Sequence, residues 1–423
     1  MLSLYWCAVA ISGPLILISL INYIPKYEPL SIEQNAYWGP GDIVEDNDEI
    51  RVYNIEIPES KIDEAKSYLK EDLFVPIYEN DKSHKIQCDF MKSLTKVMAD
   101  FEWKQHQHFL NTFKQYRTQI EGLQVHFVRM STPTSTGKKL VPLLLLHGFP
   151  GSHWDFFKII PILSNPSRYG FDFGVKESIH FDVIVPSLPG MLFSEKPVKK
   201  GFDIIAMTRI INKLMDRLDA KDYFIYGSEG LGTDIASLLG SAYPKNIKGL
   251  ILSNPLILPS FSTQIFMKYG IATILGEFEE NRRTTPLEKF YTYPITAFDH
   301  VQDTVPSLRS SPSGLASYIV SLWHAYSASS QKTALSSLFT LDELSTIVYL
   351  YWLTDSSIAL DFMHNSYSKN TEWMRSQVSV PVSICHSDFS PWRTPQSILK
   401  YKYLNITRTN ELIKGGIRHI QFR

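Results

Sequence analysis

The spacing of apolar residues changes character twice along this chain. Residues 28 to 60 read as loop, with Pro29, Trp38-Gly39-Pro40-Gly41-Asp42 and Pro58. From about residue 60, Ile62, Ala65, Leu69 and Leu73, then Phe90-Met91, Leu94, Val97-Met98 and Phe101, recur three and four positions apart. That period predicts helices up to about residue 120. At Leu123 the period falls to two, and Leu123-Gln-Val-His-Phe-Val128 alternates as a strand does. Four short apolar runs follow: Val141 to His147, Phe181 to Pro186, Tyr223 to Tyr226 and Ile247 to Ser253. Runs without polar alternation suit strands covered on both faces. Helical patterns fall between them, over His153 to Leu163, Ile204 to Leu218 and Thr233 to Tyr243. Strand and helix in alternation predict a mostly parallel sheet wrapped by helices.

The second change comes at residue 259. From there to 377 the chain reads as helix after helix, clearest over Phe261 to Leu275, Ser313 to Tyr326 and Leu341 to Leu353. A strand returns at Val378 to Cys385, and Leu404 to Thr407 suits a last one. A helical block between sheet strands is expected to lie over the sheet as a lid. The expected organisation is an N-terminal segment over 1–25 and a meander over 26–122. The α/β core then occupies 123–258, the helical lid 259–377 and the rest of the core 378–423. Repeats and low-complexity stretches are absent from the sequence.

The segment Leu4 to Ile24 is uncharged, apolar and long enough to cross a bilayer. It has no basic residue before it and no clear cleavage site, so a retained anchor is expected rather than a signal peptide. The first basic residue, Lys26, follows the span, which places the globular part in the cytosol. Elsewhere composition mostly excludes. A formal net charge of −1 and the lack of a basic stripe argue against nucleic-acid binding. Three scattered cysteines, Cys7, Cys88 and Cys385, form neither a disulfide framework nor a metal-ligand spacing. No metal and no cofactor is expected.

Chemistry concentrates at two turns. His147-Gly148-Phe149-Pro150 ends one apolar strand and can aim backbone N–H groups into the crevice at the strand's carboxyl end. Tyr226-Gly227-Ser228-Glu229-Gly230-Leu231-Gly232 ends another. Around these turns lie Tyr37-Trp38-Gly39-Pro40-Gly41, Phe101-Glu102-Trp103-Lys104, Ile120-Glu121-Gly122-Leu123 and the long run from His147 to Pro161. Pro186-Ser187-Leu188-Pro189-Gly190, Phe193-Ser194-Glu195, Ser311 to Ala316, Tyr351-Trp352 and Gly415-Gly416 follow in the same order. Together these resemble the microsomal epoxide hydrolases and the insect juvenile-hormone epoxide hydrolases, over nearly the whole chain.

The resemblance implies an α/β-hydrolase fold and a five-residue mechanism. A carboxylate on the elbow attacks the epoxide carbon to form an ester. Two lid tyrosines donate to the opening oxygen, and a histidine oriented by an acid activates the water that cleaves the ester. Carried onto this chain, Tyr318 matches one lid tyrosine and His364 falls at the other, with Tyr367 close by. His147, Gly148, Phe149 and Pro150 form the oxyanion loop. The elbow has two registers: counted from the strand before it, Glu229 takes the nucleophile's place, and counted from the segment after it, Gly230 does. The histidine becomes His419, displaced by Ile417 and Arg418. The acid position falls at Ser390, and Asp388 is the nearest carboxylate.

Three functions are therefore open. In the first, the protein is a diverged epoxide hydrolase, adding water to an apolar epoxide through a Glu229 ester with His419 and Asp388. In the second, it is an inactive hydrolase fold that binds lipophilic ligands or partners under its lid. In the third, it is a serine esterase using Ser228. The expected setting is the endoplasmic reticulum membrane, with a lipophilic small molecule as ligand.

Overall fold

The computed structural model describes residues 30–71, 88–132, 139–171, 179–258, 263–277, 301–327, 335–369, 371–387 and 393–412. The expected anchor Leu4 to Ile24, Asp388 and His419 lie outside them. Among the described residues no helix is long and apolar enough to cross a membrane.

Nine strands make one sheet among the described residues, in the order β1-β2-β3-β5-β4-β6-β7-β8-β9. They are β1 (Arg51–Tyr53), β2 (Gln115–Ile120), β3 (Leu123–Met130), β4 (Lys139–Leu146), β5 (Ile179–Pro186), β6 (Tyr223–Gly227), β7 (Ile247–Ser253), β8 (Val382–Ser387) and β9 (Ile406–Leu412). Pairing is antiparallel from β1 through β3 to β5, and parallel across β5, β4, β6, β7, β8 and β9. The continuous apolar runs supply the central strands because both faces of the sheet are covered. On β4, Leu144 and Leu146 join the large core and Leu143 and Leu145 the smaller one on the opposite face. Burying each such side chain stabilises the fold by about 1.5–3 kcal/mol.

Helices α1 (Glu59–Glu71), α2 (Cys88–Ala99) and α3 (Trp103–Leu110) precede β2, and α4 (Ile159–Ser164), α5 (Ile204–Arg217) and α6 (Leu231–Ala242) connect the core strands. Between β7 and β8 the described residues form α7 (Thr263–Ile274), α8 (Val301–Ser310), α9 (Pro312–Ser327), α10 (Leu341–Leu353) and α11 (Ala359–His364), with short 3-10 and π turns. Helix α12 (Gln396–Lys402) leads into β9. Two helix starts show why the chain turns where it does. Asp203 accepts from the amides of Ile205 and Ala206 to cap α5. Thr340 and Glu343 form a reciprocal capping box on α10.

The structure departs from the sequence expectations in three places. Residues 115–120 form β2, not helix; their polar Gln-Tyr-Arg-Thr-Gln content, buried only at Gln115, Thr118 and Ile120, gives no strand alternation. Residues 51–53 form the edge strand β1 within the segment read as loop. The helix expected over His153 to Leu163 divides into a 3-10 turn (His153–Phe156) and α4.

The β2–β3 hairpin also explains one motif. Its two turn residues, Glu121 and Gly122, both have positive φ, at 55° and 79°. Such a turn matches the twist of the strands and favours glycine. A Cβ on Gly122 would come within 2.5 Å of the Tyr37 ring. Glu121 is locked by a buried two-point pair with Arg209 and by the Trp38 indole N–H. Tyr37, Trp38, Glu121 and Gly122 therefore belong together for packing, and the meander is clasped to the sheet through them.

Candidate functional site

Two turns meet at the carboxyl ends of β4 and β6. The first is His147 to Gly151. His147 is fully buried; its Nε2 accepts from the Leu188 amide at 3.1 Å, which leaves Nδ1 to donate to the Gly148 carbonyl at 2.8 Å. The imidazole is thus occupied in holding the loop to the Leu188 turn. The Phe149–Pro150 peptide is cis. The Trp323 indole on α9 donates to the Pro150 carbonyl at 2.8 Å. The Tyr351 hydroxyl on α10 accepts from the Gly151 amide at 3.1 Å and donates to the Gly151 carbonyl at 2.9 Å. Two helices from the 259–377 block are therefore bonded directly to the backbone of this loop.

The second turn is the elbow between β6 and α6. Its crossing is tight: a Cβ on Gly227 would sit 2.7 Å from the Gly232 carbonyl oxygen, and one on Gly232 would sit 2.6 Å from the Leu146 carbonyl oxygen. The Ser228 amide donates to the Leu146 carbonyl at 2.9 Å, and its carbonyl accepts from the Thr233 amide at 2.8 Å. Ser228 itself is buried. Gly230 is the residue before the first turn of α6, at φ 77° and ψ −123°, and no side chain caps that helix end. This conformation lies close to a region that residues with a Cβ adopt only under strain. Positive φ is found at Gly230 and not at Ser228 or Glu229. Glu229 is half-buried, and its carbonyl oxygen would lie 2.3 Å from a Cβ on Gly148. The two turns thus touch backbone to backbone, through Gly148 and Glu229.

The remaining expected site residues separate. Tyr318 sits on α9; its hydroxyl is buried with no hydrogen-bond partner, and burial pushes the phenol well above its ordinary value. It is a neutral donor across the whole working pH range. His364 ends α11, half-buried. Tyr367 is engaged elsewhere: its hydroxyl donates to Asp234 at 2.6 Å. Burial raises the Asp234 carboxyl to about 6, against the opposing pull of Lys402, which is itself buried.

Residues to which the sequence reading gave no role here, Tyr351 and Tyr367 among the motifs it named and Trp323, Asp234 and Lys402 outside them, bear on the site. Trp323 and Tyr351 fix the His147 to Gly151 loop, and of the two only Tyr351 stood in a motif of the sequence. Asp234, Tyr367 and Lys402 tie the elbow helix to the residues on either side of β8. A second unanticipated group is a set of buried histidines beside the loop. His126 bonds Ser187 at 2.9 Å and Gln115 at 2.8 Å. His153 is buried among His126 and Phe193, with both ring nitrogens unpartnered. Burial holds His126 well below the usual histidine range, and lowers His153 to about 3 and His106 to about 4. All three are neutral near pH 7. No cluster of three or more potential ligands that could hold a metal is found among the described residues.

Comparison with known proteins agrees with this geometry. The family described as "Epoxide hydrolase N terminus" matches residues 50–156, and the "alpha/beta hydrolase fold" family matches residues 141–416. Epoxide hydrolase 1 of Oryctolagus cuniculus is 28% identical over 417 residues, covering 92% of this chain and 90% of that protein. The juvenile hormone epoxide hydrolase of Bombyx mori is 29% identical over 428 residues, covering 96% and 90%. A putative epoxide hydrolase of Stigmatella aurantiaca is 30% identical over 323 residues, covering 75% and 68%. The crystal structure of the silkworm juvenile hormone epoxide hydrolase superposes with a TM-score of 0.79 at 26% identity, covering 92% of this chain and 94% of that one. The sheet order, the N-terminal meander and these likenesses together make the chain a member of the epoxide hydrolase family, built on the α/β-hydrolase fold.

Proposed function

We propose that this protein binds lipophilic epoxides, or molecules shaped like them, without hydrolysing them. The observation that carries this reading is Gly230 at the apex of the elbow, φ 77° and ψ −123°. A nucleophile elbow is a sharp, strained strand-to-helix turn that presents one side chain into the site. Here the residue in that conformation has no side chain, so no bond to an epoxide carbon can form from it. What the site retains are groups that bind: the oxyanion loop held by Trp323 and Tyr351, and the buried, uncommitted Tyr318 hydroxyl. Apolar walls with a few directed donors suit a small lipophilic ligand. The block over 259–377 acts as the lid. Leu4 to Ile24 anchors the chain in the endoplasmic reticulum membrane, with the globular part on the cytosolic side.

A second reading has its own observation. Glu229 is one residue from the apex, half-buried and in contact with the oxyanion loop through its backbone. If its carboxylate reaches the epoxide, it forms the ester, and His419 with Asp388 cleaves it. Displacement of a nucleophile by ~1 Å reduces rate about a hundredfold. One experiment separates the readings. Purified full-length protein is mixed with a lipophilic aryl epoxide, and intact mass and diol are followed through a single turnover. The binding reading expects no adduct and no diol from the wild type, and an epoxide-mass adduct from Gly230→Asp. Diol from the wild type that vanishes in Glu229→Gln would establish the second reading instead.

A further inference from the structure

We propose that a groove between the meander and α10, apart from the two turns, is a second ligand site, and that it takes a small organic cation: an ammonium on an aromatic or apolar body. The groove lies where the end of α2, the start of α3 and the first turn of α10 meet, and it holds about 810 Å³. Pockets for small organic molecules span about 300–1,000 Å³. Val97, Phe101, His106, Phe109 and Leu341 give the groove an apolar lining. Its rings belong to one cluster. Phe101 stacks on Tyr349 at 5.4 Å and tilts against His106, also at 5.4 Å. His106 and Phe109 both pack edge-on against the Trp154 ring, at 4.7 and 5.9 Å. This backing fixes the lining rings, while Phe109 stays 41% exposed. The groove is also remote from the loop after β4: on α10, Asp342 stands nine residues before Tyr351, about 14 Å along the helix axis.

Charge selects a cation as the occupant. Asp100, Glu102 and Asp342 line the groove against one lysine, Lys96. The adjacent carboxylates Asp89 and Glu343 are paired, with Lys92 and Lys158. Asp100, Glu102 and Asp342 take part in no ion pair among the described residues. Burial lowers the His106 imidazole to about 4 although the Asp342 carboxylate pulls it upward, so the ring is neutral near pH 7 and adds no positive charge. Its Nε2 has no hydrogen-bond partner. In the tautomer with hydrogen on Nδ1, that nitrogen accepts from a ligand N–H. Aromatic faces attract cations electrostatically, and ammonium groups are what ring-lined sites recognise. An anion would meet three carboxylates, and a neutral apolar molecule would gain nothing from them. A bare metal ion does not suit the groove, because among the described residues no three potential ligands converge.

The test compares probes of one shape and different charge: naphthylmethylammonium, naphthylmethanol and naphthoate. Each is titrated at pH 7 into the full-length protein in neutral detergent, and binding is read by ligand-observed NMR with detergent alone as the blank. The proposal expects saturable binding of the cation, and affinity about fivefold weaker or less for the alcohol and the carboxylate. Glu102→Gln combined with Asp342→Asn removes two of the charges. Asp342 lies outside the Thr340–Glu343 capping box, so α10 keeps its start. This double variant should bind the cation about fivefold more weakly than the wild type. Phe109→Leu should weaken it about threefold through the lost ring face. Added salt should weaken cation binding in the wild type more than in the double variant. No saturable binding, equal affinity for the three probes, or wild-type affinity in the double variant overturns the proposal. So does displacement of the cation by a lipophilic epoxide, which would place it under the lid. Melting curves matching the wild type show that each variant is folded. Glu102→Gln alone, at an exposed side chain that makes no cap bond, stands in if the double variant does not fold.

Discussion

The loop after β4 and the elbow after β6 face each other across the carboxyl end of the sheet, and different forces hold them. The loop is fixed by side chains from distant elements: Trp323, Tyr351 and the Leu188 turn all bond to it. The elbow is fixed by its own backbone and by glycines that allow strand, helix and loop to approach. In the loop, then, a change of chemistry would also be a change of packing. At the elbow apex, packing requires only a backbone conformation, and glycine satisfies that at least as well as any nucleophile. The difference teaches that the shape of this turn depends on its backbone and not on which side chain stands at its apex.

The contrast breaks most sharply at the contact between the two turns. Gly148→Ala places a methyl 2.3 Å from the Glu229 carbonyl oxygen, and Gly232→Ala places one 2.6 Å from that of Leu146. Backbone cannot yield as a side chain end can, so each should destabilise the protein by about 3 kcal/mol. A clear fall in melting temperature is expected, and wild-type melting in either variant would refute the close approach.

Next in size is Tyr351→Phe. It leaves the Gly151 N–H and C=O without the partner they share. Unsatisfied buried groups of this kind cost about 1–3 kcal/mol each. Denaturant midpoints should show a loss of about 2 kcal/mol or more. Trp323→Phe, which frees the Pro150 carbonyl and leaves a cavity at a fully buried position, should also lower the midpoint.

Acid should weaken the loop side first. His126 and His153 are neutral when folded, with pKa values far below the ~6.5 of an unfolded histidine. Depressed values mean that their contribution is intact above pH ~6.5 and is lost progressively as pH falls toward the folded values. The slope should approach about 1.4 kcal/mol per pH unit for each histidine. Stability curves measured between pH 7.5 and 5 test the sign, and a maximum of stability near pH 5 would contradict it.

The smallest stability effect belongs to Tyr318→Phe. The hydroxyl has no partner to lose, so the change should stay within about 0.5 kcal/mol or slightly stabilise. Its consequence should lie in binding. A ligand at roughly a hundred times its dissociation constant stabilises by about 2.7 kcal/mol. The rise in melting temperature given by a lipophilic epoxide, or by an amide or urea mimic, should shrink in this variant. An equal rise would remove Tyr318 from the site.

The central sheet was legible in the sequence because a strand buried on both faces must be apolar throughout. Leu143 to Leu146, Val183 to Val185 and Leu250 to Leu252 announce themselves by composition alone. Helix α5 was legible for the related reason that Ile204, Met207, Ile210, Ile211 and Leu214 keep one buried stripe. Strand β2 was not, because an outer strand mixes polar residues on both faces and imitates a polar helix. The loop after β4 could be picked out from His147-Gly148-Phe149-Pro150, but its tethers could not. Trp323 and Tyr351 lie some two hundred residues away, and only folding brings them to Pro150 and Gly151.

The elbow marks the boundary between the two kinds of knowledge. Read as a string, Gly227-Ser228-Glu229-Gly230-Leu231-Gly232 supports two registers, because glycines flank both candidates. By itself the sequence determined the central strands, the turn and the family. Which residue stands at the apex was decided only by the tertiary structure. Strand β6, helix α6 and the Gly148 loop converge there, and a single residue must take φ 77° to join them. Backbone sterics assign that place to Gly230, and no local pattern of hydrophobic and polar residues encodes it.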